Sequence, residues 1–235
     1  MATQFKHNYK EFGIEAVSKR VKQMVEFRDQ VDVASAHVKF SYDNRKTGAL
    51  VPSVSLIPVA DCGNCAVCAR GCYDVRNVCF QKTVQRARAN NSAIAREDPD
   101  RYFTEISEHI TKKNLRWFRF HAGADILNAG YFNGMIRVAK DNPHCRVLAF
   151  TKMFSVVNRW IDKNGELPEN LQIIFSEWKG QETDNPYNLP TSRPVWKGEV
   201  VPSGIWCGGN CSECAEKNGG CWSLKKGERI LFEAH

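Results

Sequence analysis

Leu115-Arg-Trp-Phe-Arg-Phe-His121, Arg146-Val-Leu-Ala-Phe-Thr151 and Leu171-Gln-Ile-Ile-Phe-Ser176 are three apolar runs within one stretch of sequence, and the residues between them decide the fold. One helical pattern fills 129 to 140 and another fills 154 to 163. Strands separated by helices imply right-handed crossovers and a parallel sheet, so the chain reads as an α/β protein. Each run ends on polar residues: His121 with Asp125, Thr151 with Lys152, and Ser176 with Glu177. Parallel sheets bind ligands beyond the carboxyl ends of their strands. These side chains are therefore expected on one rim, with His121, Asp125, Lys152 and Glu177 as candidate catalytic groups. Taken singly, Asp125 reads as a helix cap and His121 as a backbone partner. Three successive strand ends of this kind make the collective case.

Upstream, residues 83 to 96 and 99 to 112 read helical, with Pro99 at a first turn. From 9 to 28, Phe12, Val17, Val21, Met24 and Val25 recur near helical spacing among basic residues. Alternation over Ala36 to Tyr42, turn chemistry at 43 to 48 and a strand-like run from Ala49 to Pro58 predict a β-hairpin. The expected organisation is an amino-terminal helix and hairpin over 1–60, packed on a main domain over 61–235. After the third strand, 178 to 203 turns polar, carries Pro186, Pro190, Pro194 and Pro202, and reads as a long loop or lid. No repeat of fixed period is present.

Eight of the ten cysteines fall in two tight groups. Cys62, Cys65, Cys68 and Cys72 have the spacing C-x₂-C-x₂-C-x₃-C, which lets the thiolates of one loop converge on a cuboidal iron–sulfur cluster. Tyr73 follows the last of them where bacterial-type ferredoxins have proline, and the motif is not repeated, so a plain ferredoxin is disfavoured. Cys207, Cys211, Cys214 and Cys221 form the second group, C-x₃-C-x₂-C-x₆-C. Its first three share the spacing of radical-SAM enzymes, but its place near the chain's end and the fourth thiol of Cys221 favour a closed site. Four-cysteine zinc is the competing reading. Four thiols within eleven residues prefer iron–sulfur for the first group; for the second, the two readings stand level. Cys79 and Cys145 fall outside both spacings and read as ordinary buried thiols.

With 235 residues, 43% of them hydrophobic, the chain can bury one sizeable core. It shows neither the apolar stretch of a signal peptide nor a run near the roughly 18 residues a membrane span needs. A cytoplasmic protein is expected, and in a reducing compartment clustered cysteines point to metal rather than disulfides. The formal charge of +7 counts every cysteine as neutral. A four-thiolate [4Fe–4S] centre carries about −2, and two would bring the total to roughly +3. Lys82, Arg86 and Arg88 nevertheless gather after the first cysteine group without an intervening acid.

Cys72-Tyr73, Arg119-Phe-His121-Ala-Gly123-Ala-Asp125, Phe150-Thr151-Lys152, Phe175-Ser176-Glu177 and the closing Cys207 to Cys221 group together resemble the phage gene product 88 family. The resemblance runs over about residues 50 to 235 and is similar in turn to radical-SAM-type partial barrels. It implies a parallel-stranded partial (β/α) barrel-like domain and an iron–sulfur-related protein of phage origin, acting in the host cytoplasm. Ala124 and the denser front cysteine group depart from the family pattern.

The expected function is iron–sulfur binding, with one or two [4Fe–4S]-type clusters serving electron transfer or ligand binding, and with a redox protein or small molecule as partner. A radical-SAM-like enzyme with an open cluster iron and S-adenosylmethionine on the rim is the alternative. A third reading is a zinc-stabilised nucleic-acid-binding module using Lys82, Arg86 and Arg88, disfavoured because basic and aromatic residues are too sparsely interleaved.

Overall fold

The computed structural model describes residues 14–63, 68–77 and 81–234. In chain order these hold α1 (Ile14–Arg28), β1 (Ser53–Val54), α2 (Tyr73–Asn77), α3 (Lys82–Glu97), α4 (Pro99–Lys112), β2 (Trp117–Phe120), α5 (Ala129–Asp141), β3 (Arg146–Thr151), α6 (Phe154–Asn164), β4 (Leu171–Ser176), β5 (Thr191–Val195), β6 (Ile205–Trp206), α7 (Cys211–Glu216) and β7 (Arg229–Glu233). The strands form one seven-stranded sheet in the order β1-β2-β3-β4-β5-β7-β6, and every neighbouring pair is parallel. This is the parallel α/β architecture that the apolar runs predict, with helices crossing between strands as in a partial β/α barrel.

Alternation along each strand sends successive side chains to opposite faces. Phe118, Phe120, Val147, Ala149, Ile173 and Phe175 enter one core with Tyr102, Phe103 and Ile106 of α4, Phe132 and Met135 of α5, and Phe154 of α6. Leu148, Ile174 and Ile230 enter a second core, closed by Ala215, Cys221, Trp222 and Leu224 of the carboxyl-terminal segment. Helices thus cover one face and the second cysteine group covers the other, which is why the central strands read as continuous apolar runs. Asp98 caps α4 by accepting from the Arg101 amide, and Asn128 caps α5 in the same way through Tyr131. α1 packs on α3 through Met24 and Ala89, beside Ile57.

The expected hairpin is present as its turn, Asn44↔Gly48, and a single antiparallel bridge, Ser41↔Ser53. Its second arm turns away to become β1, pairing with β2, so this segment continues into the main sheet. The part of the amino-terminal helix expected over 9 to 13 lies outside the described residues, as do Cys65 and Cys79.

The 178 to 203 segment is not simply a loop, since it contains β5. Odd residues of β5 bond toward β7, as in Thr191 N to Glu228 O and Ala234 N to Val195 O; Ser192 faces β4, its carbonyl accepting from Glu177 N. Pro194 therefore points its missing N–H toward β4, beyond the last pair Ser176↔Ser192, where no ladder bond is lost. The prolines concealed a strand that sheet geometry tolerates.

Candidate cysteine-lined cavity at the strand ends

Because all strands run the same way, the loops leaving them collect at one end of the sheet. They surround a cavity of about 220 Å³ whose walls include Cys62, Cys68 and Cys72 from the loop after β1, His121 and Asp125 after β2, Lys152 after β3, and Ser176, Glu177 and Trp178 after β4. The rim residues predicted from strand ends thus come together, and they face the first cysteine group. Thr151 lies just beneath, buried, and not on the wall.

Asp125 is held on all sides: Thr151 Oγ1 donates to its Oδ1 at 2.6 Å, Ile126 N donates to Oδ1 at 2.7 Å and Lys152 N donates to Oδ2 at 2.8 Å. Burial raises its pKa, and these donors pull the other way. The carboxylate ties the β2 loop to the end of β3. His121 takes a left-handed conformation, φ +57°, and Ala124 another, φ +72°, so two non-glycine residues hold this loop in a costly shape. His121 Nε2 lies 2.9 Å from Tyr131 Oη, which in turn donates to Tyr102 Oη at 3.4 Å. Burial, with Arg119 adding to it, pushes the imidazole pKa down to about 3. The ring is neutral near neutral pH.

Five further residues shape the cavity and its surroundings, none of them among the strand-end candidates. Asp74 and Arg88 form a buried bidentate ion pair, Arg88 Nη2 reaching Asp74 Oδ1 at 2.8 Å. A Cβ on Gly123 would collide with both partners, so the glycine between His121 and Asp125 is required by close approach. Tyr73 Oη donates to Ala122 O at 2.5 Å, fixing the cysteine loop against the β2 loop. Arg119 is 5% exposed, stacks over Phe150 with its guanidinium carbon 4.8 Å from the ring centroid, and donates from Nη1 to Cys211 Sγ at 3.4 Å. A polar residue in mid-strand, on the face opposite Phe118 and Phe120, was the signal that could have found it.

The second group is assembled from three directions. Cys207 N bonds Leu231 O at 2.9 Å, Cys211 N bonds Lys46 O at 2.8 Å, and Trp222 Nε1 donates to Cys211 O at 3.2 Å. Asn210 caps α7 through the amides of Ser212 and Glu213. Burial pushes the Cys221 thiol up to about 12; Cys207, Cys211 and Cys214 add to the rise while Arg119 opposes it. Burial likewise pushes Cys72 up to about 12, with the Val75 amide opposing and Cys62 and Cys68 adding.

All eight described cysteines are free thiols. Among the described residues no three His, Cys, Asp or Glu side chains are placed to hold a single metal ion. Zinc, with each sulfur at about 2.3 Å, demands that tight convergence, whereas a cuboidal cluster spreads its thiolates around a larger body. Arg119 lies beside the second cysteine group. Its Nε is buried without a hydrogen-bond partner, and it has no carboxylate ion pair among the described residues. Burial disfavours its charge, yet Cys211 and Tyr73 hold its pKa above the ordinary value. A buried guanidinium is costly unless an anion faces it, and here the anion available is the second cysteine group in its thiolate form. Thiolates at the second cysteine group would supply such an anion to Arg119, so the donor chemistry there is compatible with a metal–thiolate centre.

A wider cleft of about 570 Å³ lies among α3, α4 and α5, and it contains no cysteine. Its arginines are already engaged, Arg96 with Asp61 and Arg137 with Asp100.

Fold and site together define a parallel-stranded α/β partial barrel with a cysteine-lined cavity at the carboxyl ends of its strands. Residues 27–195 match the Gene product 88 family, and the chain belongs to it. The match begins earlier than the resemblance and stops before Cys207, so it covers the first cysteine group and most of the cavity wall but not the second cysteine group. No curated protein and no solved structure matches the chain.

Proposed function

We propose that this protein is a phage-encoded iron–sulfur protein. Cys62, Cys65, Cys68 and Cys72 would hold one [4Fe–4S]-type cluster beside the cavity, and Cys207, Cys211, Cys214 and Cys221 a second behind the sheet. The observation that carries this reading is the cavity itself: thiols of the first group share one wall system with the polar residues of successive strand ends. When bound, such clusters supply one-electron chemistry whose potential is tuned by nearby charge, hydrogen bonds and solvent. The chain's own contribution is unequal at the two places. Around the second group, Trp222, Leu224 and Ile230 exclude water and Arg119 offsets thiolate charge. Around the first, the thiols open on space that a small ligand or a reactant can enter.

That opening also favours a second reading, a radical-SAM-like enzyme. The first cysteine loop directly follows β1 and faces the strand ends, where S-adenosylmethionine would lie if one cluster iron were left without a thiolate.

Serine substitution of Cys62, Cys68 and Cys72 together, and separately of Cys207, Cys211 and Cys214, tests the two-centre account. Each triple variant is expected to lose about half of the iron and acid-labile sulfide of the anaerobically prepared wild type, in line with one cluster per four-thiolate group. Iron content unchanged in both variants contradicts it. Adding S-adenosylmethionine separates the two readings, since only an open iron changes its electron paramagnetic resonance signal on binding.

A further inference from the structure

Between Cys62 and Arg96 the only acidic residue is Asp74, and Asp74 is buried in its pair with Arg88. The same interval contributes Lys82 and Arg86, both exposed on α3. Lys19 and Lys22 are exposed on α1, which packs beside α3 and carries one exposed acid among its described side chains, Glu26. These cations do not serve the cysteines as counter-charges, because they face solvent. Their backbone is nevertheless fastened to the first cysteine loop: Arg20 Nη1 donates to Val75 O at 2.6 Å and to Arg76 O at 2.9 Å, three and four residues beyond Cys72. The surface is thus basic over Lys19, Lys22, Lys82 and Arg86, with Glu26 on α1 and Glu97 at the end of α3 as its exposed acids, and α1 is hydrogen-bonded to α2 just after the first cysteine loop.

We infer that the α1–α3 face is the docking surface for an acidic electron-carrier protein. Complementary charge steers encounter and fixes orientation, and it does so without needing a large apolar contact. Nucleic acid is the other polyanion such a face attracts. Single-strand binding relies on aromatic platforms, and the described side chains of α1 and α3 offer one aromatic residue, Phe27, already covered by the Arg86 guanidinium at 4.7 Å. The protein partner is therefore the better match. The choice of an electron carrier rests on the iron–sulfur reading.

The test uses full-length protein and two probes: oxidised flavodoxin, an acidic one-electron carrier, and a single-stranded oligonucleotide. Binding is measured by calorimetry at about 20 mM and about 300 mM salt, where screening lengths differ severalfold. Flavodoxin is expected to bind at low salt and to weaken at least tenfold at high salt. The combined K19E, K22E, K82E and R86E variant should lose that binding at least tenfold while keeping its circular dichroism and iron content. The double variant K82E and R86E, a smaller perturbation, should lose part of it. Undiminished flavodoxin binding in either charge-reversed protein overturns the inference, and so does tighter binding of the oligonucleotide. Iron and sulfide analysis of the same preparations keeps this outcome separate from that of the iron–sulfur reading: a preparation without iron can still pass or fail the docking test.

Discussion

His121 is held where an ordinary histidine would not rest, at positive φ, buried, and bonded to a tyrosine. The energetic consequence follows from linkage. In the unfolded chain the imidazole takes up a proton near its ordinary value of 6.5, and in the folded protein only near about 3. Above the upper value both states are neutral and the group has no effect. As pH falls through the window between them, the unfolded state binds the proton first, so stability is lost on acidification, by up to about 1.4 kcal/mol per pH unit from this group. His121→Asn tolerates the left-handed backbone and cannot titrate. Urea unfolding of wild type and variant between pH 7 and pH 4 should show a shallower acid slope in the variant, and parallel slopes would contradict the buried, neutral assignment. At this scale the sequence placed His121, Asp125, Lys152 and Glu177 on one rim from strand periodicity alone. It did not distinguish their roles. Asp125 is absorbed by three donors, and Glu177 accepts from Arg229 at 2.9 Å, partners that come from other segments of the chain and leave no local pattern.

Among the elements, α4 and α5 depend on one small residue. Gly134 of α5 lies against the Phe103 ring of α4, and any Cβ there would overlap it. The ring is in turn wedged against Tyr131 at 4.8 Å and Phe120 at 6.2 Å between centroids, so it cannot withdraw. Alanine improves helix propensity by about 1 kcal/mol, while overpacking of a fixed ring typically costs about 1–3 kcal/mol. Gly134→Ala is expected to lower the urea midpoint, and a raised midpoint would show that the helices have room to separate. The α-helices from α3 onward to α6 and strands β2 to β4 were legible because each is long or strongly periodic. β5 was hidden by Pro194, whose harmlessness depends on where β4 ends, and β6 by its length of two residues. Strand pairing at sequence distances such as that between Ser53 and Arg119 is set by the assembly of the whole sheet, beyond the reach of local pattern.

For the molecule as a whole, uniform strand direction is what brings the first cysteine loop and the polar strand ends together, while the carboxyl-terminal segment returns to lay the second group on the opposite face. The cysteine spacings foretold two thiol groups; alternation along β2 sets Arg119 on the face opposite Phe118 and Phe120, but that it reaches Cys211 depends on where the distant carboxyl-terminal segment returns, which no local pattern encodes. Among the described residues no helix is long and apolar enough to cross a membrane. We propose that both thiol groups serve iron–sulfur clusters. Metal and acid-labile sulfide analysis, with an absorption spectrum of protein prepared anaerobically with iron supplied, tests it most directly. The expected protein is brown, with a broad thiolate-to-iron band at about 400 nm and iron matched by sulfide. Colourless protein carrying stoichiometric zinc and no sulfide would contradict it.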